Sequence, residues 1–405
     1  MVNISTYGRT ISTVNELGIF MDNIVLVGLV YDQNLGDRAI FESTLNMLEE
    51  IQEDINVKLE IKVLDLYGRS KSGEDYGYDT LKKILRKVYQ IAKRPADEAT
   101  LICKIVSQKF RALINKNTKA VIFVGGGLIK FSHQIISQPM CEILNISQSK
   151  SIPVMLSAVG VEGYDAGFKE CLRLKNALNL DCVKTITTRD DIDTLENFYI
   201  VNKKITTGKV ADPACSIAEL YVHTSIIKET PMIGLGIGRK GLFEDYGRLE
   251  EENQIIEFWK KLYVEISSNG YKCVLFTNGL PADYQMALEI KRQLNLSDDS
   301  VAPRPKTVEE LTALIANMDA AIVTRLHSSI IAYSYGIPSI GLVWNSKQLM
   351  FGTSIGHPER FLDRLSDERK VLALMENAMK EENARNESYC SSTQSMIRDF
   401  LIQHV

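Results

Sequence analysis

Apolar and polar positions along this chain fall into blocks, and the blocks change period. Residues 23–30 and 59–66 are short apolar runs of the kind that form strands buried on both faces. Between them, 38–52 carries Ala39, Ile40, Leu45 and Leu48 on one side of a predicted helix. The same grammar continues with strands at 120–124, 154–158, 185–188 and 205–209, and with helices near 132–147 and 166–177. It restarts in the second half. Strands are predicted at 232–237, 273–277, 321–324 and 339–343, and helices at 250–268, 282–294, 308–318 and from about 328.

Strands alternating with helices build a parallel sheet covered on both faces. The expected fold class is therefore α/β: two Rossmann-like doubly wound domains facing a central cleft, with a helical C-terminal tail. The N-terminal domain is expected over 22–215, the C-terminal domain over 230–365 and the tail over 366–403, with 212–231 as the connection. One tract breaks the alternation. Residues 67–118 open with "YGRSKSGEDYGYD" and continue as two basic helical segments split at Pro95, which predicts a helical insertion.

Composition narrows the classes. At 405 residues the chain exceeds one ordinary core, and 45% hydrophobic with 24% charged residues is typical of globular proteins. A net charge of -4 and the lack of a basic patch argue against nucleic acid as a partner. Seven scattered cysteines without a CxxC pair read as reduced core residues, and no HExxH, HxH or cysteine cluster suggests a metal. No apolar run spans a bilayer and no secretory signal is visible, so a cytoplasmic protein is expected, with peripheral contact at the inner face of the membrane left open. Oligomeric state is not legible.

Ligands of doubly wound sheets bind at the C-terminal ends of strands, so the loops there carry the chemistry. In "YDQNLGDRAI", Gly36 permits a sharp turn, Asp37 can cap a helix from Arg38, and Asn34 adds a second polar group. In "VGGGLIKF", Gly125, Gly126 and Gly127 leave backbone N–H groups open to a ligand, or serve close packing. In "TTRDDIDTLENF", Arg189 follows a strand and Asp190 or Asp191 can cap the next helix. Asp191-Ile-Asp193 also matches the DxD pattern of metal-dependent sugar transferases, which helix-capping acids explain equally. "GLGIGRKG" is not a dinucleotide fingerprint. Its Gly236 and Arg239 suit an anion or an exposed surface. "TNGLPADYQ" offers Asn278, Gly279 and Asp283 for a turn and cap or for a ligand.

The sixth loop is the most informative. "RLHSSIIAYSYGIPSIGLVWNSK" sets Arg325 and His327 around a strand–helix junction and returns with Lys347 at the next strand end. The N–H groups of His327, Ser328 and Ser329 would point from a helix N-terminus into the crevice. A helix N-terminus disfavours a cationic imidazole by about 0.3–1 kcal/mol. An anion ~4 Å away favours it by about 4 kcal/mol per unit charge at an effective dielectric near 20, so the ligand term dominates. His327 would then gain its proton as the anion binds and serve as a general acid.

Taken in order, "NLGDRAI", "VGGGLI", "TRDD", "ADPA" (211–214), "TRLHSSIIAYSYGIPSIGL" and "NSK" resemble the polysaccharide pyruvyl transferase family. The resemblance implies a two-domain fold like the GT-B glycosyltransferases. It implies transfer of enolpyruvyl carbons from phosphoenolpyruvate to a sugar of a surface or exopolysaccharide precursor, giving a pyruvate ketal and phosphate. Phosphoenolpyruvate would be the donor substrate, with no cofactor and no metal. The acceptor would be a carbohydrate, free or linked to a lipid or nucleotide. His327, Arg189, Lys347 and Asp37 would be catalytic, with His327 as the acid that protonates C3 and Asp37 as a base for one hydroxyl. Arg325, Leu326, Ser328, Ser329, Asn34, Gly36, Gly125, Gly126, Gly127, Gly236, Arg239 and Asn278 would bind substrate. The rival expectations are a GT-B glycosyltransferase with a nucleotide-sugar donor, a nucleotide-sugar epimerase of similar fold and a non-catalytic sugar- or anion-binding protein.

Overall fold

A computed structural model describes residues 21–70, 98–131, 135–223, 228–365 and 367–405. The described chain divides into two compact units, each built on one parallel sheet. The first comprises the described part of Met1–Asp32, then Ile40–Ala211 and Ser392–Val405. The second comprises Gln33–Ala39 and Asp212–Ser391.

The first unit contains β1 (Asn23–Gly28), β2 (Glu60–Asp65), β3 (Thr118–Val124), β5 (Val154–Val159), β7 (Val183–Thr188) and β8 (Thr206–Lys209) in the sheet order β2-β1-β3-β5-β7-β8. A two-stranded ladder, β4 (Ile129–Lys130) with β6 (Val161–Glu162), lies beside it. Central strands are buried throughout, as in "NIVLVG" of β1, because helices cover both faces. The edge strand β2 instead mixes Glu60 and Lys62 with Ile61 and Val63, since among the described residues one side of it pairs with no strand.

Helices α1 (Leu35–Asp54), α2 (Glu98–Leu113), α3 (Ser137–Ser149) and α4 (Lys169–Leu178) follow the strands. Leu101, Ile102, Val106 and Phe110 form the buried stripe of α2, with Ile102, Val106 and Phe110 in one core with Val25, Val121 and Phe123. The helix is thus the crossover from β2 to β3, and that part of the expected 67–118 insertion belongs to the wound fold itself. Residues 71–97, Pro95 among them, lie outside the described residues.

The second unit has β9 (Met232–Gly236), β10 (Lys272–Phe276), β11 (Ala320–Val323), β12 (Ser339–Leu342) and β13 (Phe361–Leu362) in the order β10-β9-β11-β12-β13. Its helices are α5 (Leu249–Ser268), α6 (Pro281–Leu294), α7 (Val308–Ala316), α8 (Leu326–Ser334), α9 (Ser346–Ser354) and α10 (Glu368–Lys380). In both sheets the chain starts inside, steps to one edge and then reverses. The reversal lies between β1 and β3 in one and between β9 and β11 in the other. At such a point successive connections leave in opposite directions, and a crevice opens at the strand ends.

The tail is helical, as expected, but it serves two cores. Val371, Leu372 and Met375 of α10 join the core of the second unit. Ile397, Phe400 and Leu401 of α11 (Ser392–His404) join Ile24, Leu26 and Ile40 of the first. At the return, Ser392 Oγ accepts the N–H of Ala211 at 2.9 Å and Thr393 Oγ1 donates to the carbonyl of Ala211 at 2.6 Å.

Candidate active site

The crevice of the second sheet is built from the loops after β9, β10, β11 and β12, together with the segment Gln33–Ala39. Arg325 occupies the N-cap position of α8, in extended backbone with φ -87° and ψ 124°, and makes no side-chain cap. The neighbouring helices vary, and the N-cap residues of α5 and α6 make no side-chain cap either. Thr307 caps α7, Asn345 caps α9 and Asp367 caps α10 through their side-chain oxygens. The first turn of α8 therefore starts without a cap from its own N-cap side chain, at the point where the sheet reverses. The helix begins at Leu326, two residues before the expected 328, so His327 lies inside its first turn. The Ser328 N–H is taken by the Arg325 carbonyl at 3.0 Å and does not face outward, contrary to the expectation for it.

Each predicted residue now has a place. The Arg325 guanidinium is gripped by Asp283 of α6, with Nε donating to Oδ2 at 2.9 Å and Nη2 to Oδ1 at 2.6 Å. His327 is buried, and its Nε2 lies 3.7 Å from Oδ2 of the buried Asp212. The other Asp212 oxygen accepts the Ala214 N–H at 2.9 Å, opening the short 3-10 turn Pro213–Ser216. On its remaining side the imidazole meets Gly36: a Cβ placed there would come 2.2 Å from His327 Nδ1. Lys347 is buried in the first turn of α9, just past β12, and its N–H is bound by Asn345 Oδ1 at 3.2 Å. Leu326 is half-buried at the start of α8.

The segment around Gly36 corrects two expectations. Helix α1 begins at Leu35, three residues before the predicted start, so Asp37 falls inside the first turn and is not the cap. Asn34 takes that place: its Oδ1 accepts the Gly36 N–H at 3.3 Å and its Nδ2 donates to Asp37 Oδ2 at 2.7 Å. Gly36 does not have positive φ. It is glycine because the His327 ring leaves no room for a side chain, not because the turn needs left-handed backbone. The Leu35 N–H donates to the Asn278 carbonyl at 3.1 Å, and Arg38 Nη1 to the Lys306 carbonyl at 3.1 Å, which fixes this segment on the second unit.

Three expected ligand contacts have protein partners. Gly236 lies within β9, where a Cβ would come 2.7 Å from Val323 Cγ1, so it is a packing glycine. The Arg239 side chain turns to Asp245, its Nη1 donates to the Lys240 carbonyl at 3.1 Å, and only its backbone N–H reaches inward, to Asp283 Oδ1 at 2.9 Å. Asn278 is buried and accepts from Ser328 Oγ at 2.5 Å. Among the described residues its Nδ2, and the Ser329 Oγ, have no hydrogen-bond partner. Asp212 is a site residue that sequence reasoning missed, although it lay in the quoted "ADPA". Asp283 was offered for a turn and cap or for a ligand, and its pairing with Arg325 was not foreseen.

Arg189 and Gly125–Gly127 lie in the first unit. Arg189 Nη2 donates to the Gly126 carbonyl at 3.2 Å, which ties the end of β7 to the end of β3. Gly125 has φ +151°, a conformation that side chains disfavour. Asp190 Oδ1 accepts from Val161 N–H and Thr188 Oγ1, and Asp191, the first acid of the DxD match, caps the turn Ile192–Thr194. At the end of β2, Asp65 accepts the N–H groups of Tyr31, Tyr67 and Arg69. Burial pushes its carboxyl above the ordinary carboxylate range, opposed by the Arg69 charge 3.3 Å away.

The sequence signature of polysaccharide pyruvyl transferases matches residues 34–346, more than half of the chain. The chain belongs to the polysaccharide pyruvyl transferase family. The family makes it a transferase of polysaccharide biosynthesis with a carbohydrate acceptor. No curated protein matches it in sequence. Similar solved structures include a putative UDP-N-acetylglucosamine 2-epimerase from Listeria monocytogenes, with TM-score 0.60 and 9% identity over 95% of this chain and 96% of that one. The UDP-GlcNAc 2-epimerase from Neisseria meningitidis, bound to UDP-GlcNAc, has TM-score 0.58 and 12% identity over 94% and 99%. The corresponding enzyme of Methanocaldococcus jannaschii has TM-score 0.53 and 13% identity over 94% and 99%. At these identities the likeness shows the fold alone, the GT-B-like class that the family resemblance implied.

Proposed function

We propose that this transferase moves the enolpyruvyl carbons of phosphoenolpyruvate onto two hydroxyls of a sugar in a surface or exopolysaccharide precursor, forming a pyruvate ketal and releasing phosphate. The observation that carries this is the start of α8 at the sheet's reversal: its N-cap residue Arg325 makes no side-chain cap, the buried His327 stands in its first turn, and the buried Lys347 follows the adjacent strand β12. Phosphoenolpyruvate has two anionic groups, and a helix N-terminus with flanking cations suits both.

In the proposed chemistry His327 gives a proton to C3 while a sugar hydroxyl adds to C2. Asp37, in the first turn of α1, accepts the proton of that hydroxyl. Phosphate then leaves C2 with its bonding electrons, and a second hydroxyl captures the oxocarbenium-like centre. Of the two hydroxyl protons, one replaces that spent on C3 and the other leaves with phosphate. Lys347 balances the charge on the departing phosphate. Arg189 is assigned a further essential positive charge on the first unit, where its tie to Gly126 holds it in place. The scheme uses no cofactor. Among the described residues no helix is long and apolar enough to cross a membrane. We place the reaction in the cytoplasm, at the inner face of the membrane where the acceptor is lipid-linked.

The first test is calorimetric titration of phosphoenolpyruvate and a panel of nucleotide sugars into the wild-type protein and Arg325→Ala. Saturable binding of phosphoenolpyruvate, weakened at least ~10-fold in Arg325→Ala, is expected, since a charge-assisted hydrogen bond is worth about 1.5–3 kcal/mol. A nucleotide sugar that binds where phosphoenolpyruvate does not would replace this function with glycosyl transfer.

A further inference from the structure

Asp283 ties three strand ends together. It sits in the first turn of α6, fully buried, at the end of β10. Its carboxylate takes two donors of Arg325, beyond β11, and the N–H of Arg239, beyond β9. Because the sheet order is β10-β9-β11, the side chain reaches across the central strand end to the point where the connections reverse. Two parallel bonds from a guanidinium to a carboxylate fix its plane as well as its place. With Nε–H and one Nη2–H committed, Nη1 has no partner among the described residues, and the Arg325 side chain is still 14% exposed.

We propose that Asp283 is a positioning residue of the donor site: it clamps Arg325 so that the guanidinium meets the substrate anion end-on, along its Nη1–Nη2 edge. This rests on Arg325 being a donor contact, as in the proposed function. The clamp excludes the side-on fork of Nε and Nη2, so that an anion can be held only along the end-on edge. A carboxylate so close to an anion site also repels the anion. Asp283 therefore lowers affinity for anions in general while fixing the direction from which one is held. Orientation of this kind acts on the reacting geometry, where a displacement of ~1 Å can cost about 100-fold in rate.

The expected signature separates turnover from affinity. In Asp283→Asn, kcat for phosphate release from phosphoenolpyruvate should fall about 100-fold, while the Kd for inorganic phosphate is unchanged or lower. Asp283→Glu, which keeps the charge, should recover part of the lost kcat. Equal loss of kcat and of phosphate affinity would mean that Asp283 only maintains the fold of the site, and unchanged kcat would overturn the clamp directly. If the Asn variant does not fold, the Glu variant decides: a folded protein with lowered kcat and intact phosphate affinity supports positioning, and wild-type kcat overturns it.

A ligand-free measurement stands beside these. With ¹⁵N-arginine labelling, the Arg325 Nε–H resonance, assigned by its loss in Arg325→Lys, should exchange slowly in the wild type and fast in Asp283→Asn. Slow exchange in both would overturn the clamp. Should the wild type neither bind phosphoenolpyruvate nor release phosphate from it, while this resonance still depends on Asp283, the clamp stands and the donor assignment falls.

Discussion

Adding one methyl group at Gly36 should separate activity from stability. The Cβ of Gly36→Ala would lie 2.2 Å from His327 Nδ1, 2.4 Å from Cγ and 2.7 Å from Cβ, against 3.4 Å or more for ordinary contact. The imidazole, or the first turn of α1, must therefore yield by roughly 1 Å. The ring has little room, being buried with the Asp212 carboxylate 3.7 Å from Nε2. Overpacking of this size costs about 1–3 kcal/mol. Against that, alanine gains about 0.5–1 kcal/mol over glycine in helical backbone, and Gly36 is helical. The net loss of stability is then only about 0–2.5 kcal/mol. The effect on turnover is larger in kind. With His327 as the proposed acid, a ring displaced by ~1 Å loses about 100-fold in rate, near 2.7 kcal/mol of barrier. Urea unfolding of the purified variant, paired with a phosphate-release assay, measures both. A folded Gly36→Ala protein with wild-type kcat would refute the placement of Gly36 against a catalytic His327.

Two further outcomes follow from buried groups. Ser328→Ala removes the bond from its Oγ to Asn278 Oδ1 at 2.5 Å, leaving a buried amide with neither end satisfied by a side chain. A loss of about 1–3 kcal/mol in chemical denaturation is expected, and a change below ~0.5 kcal/mol would show that the bond contributes nothing net. Burial pushes the Cys141 thiol up to about 12 and the Cys182 thiol up to about 11, because each thiolate would be poorly solvated. Native protein treated with iodoacetamide at pH 8 should leave both unmodified, with labelling only after denaturation. Mass-spectrometric detection of alkylated Cys141 in folded protein would contradict this.

The sequence by itself determined the wound α/β units and the loops that carry the chemistry. The apolar blocks 23–30, 120–124 and 321–324 are local patterns. A strand covered on both faces must be apolar at successive positions, so its period is visible without knowledge of its neighbours. The family signature, with Arg325, His327 and Lys347 in order, was legible for the same reason, being a linear arrangement of residue types. Element starts were less so. Asn34 and Asp37 can both cap, and the difference between a helix from Leu35 and one from Arg38 lies in which side chain bends back to the backbone.

Only the tertiary structure decided which residues meet. Asp283 and Arg325 are 42 positions apart, and they touch because the sheet order sets the end of β10 and the end of β11 on either side of β9. Gly36 and Asp212 enclose His327 from positions 291 and 115 residues earlier in the chain, and no period links them to it. The α2 tract looked inserted because its basic exposed face masks a four-residue buried stripe, which acquires meaning only against the core it covers. The tail divides between two cores because α10 and α11 each present an apolar face, and a face carries no address for its partner. Strand order, close approach and choice of core are non-local, set by packing complementarity and the satisfaction of buried charge, and these placed the chemistry that the linear pattern had only named.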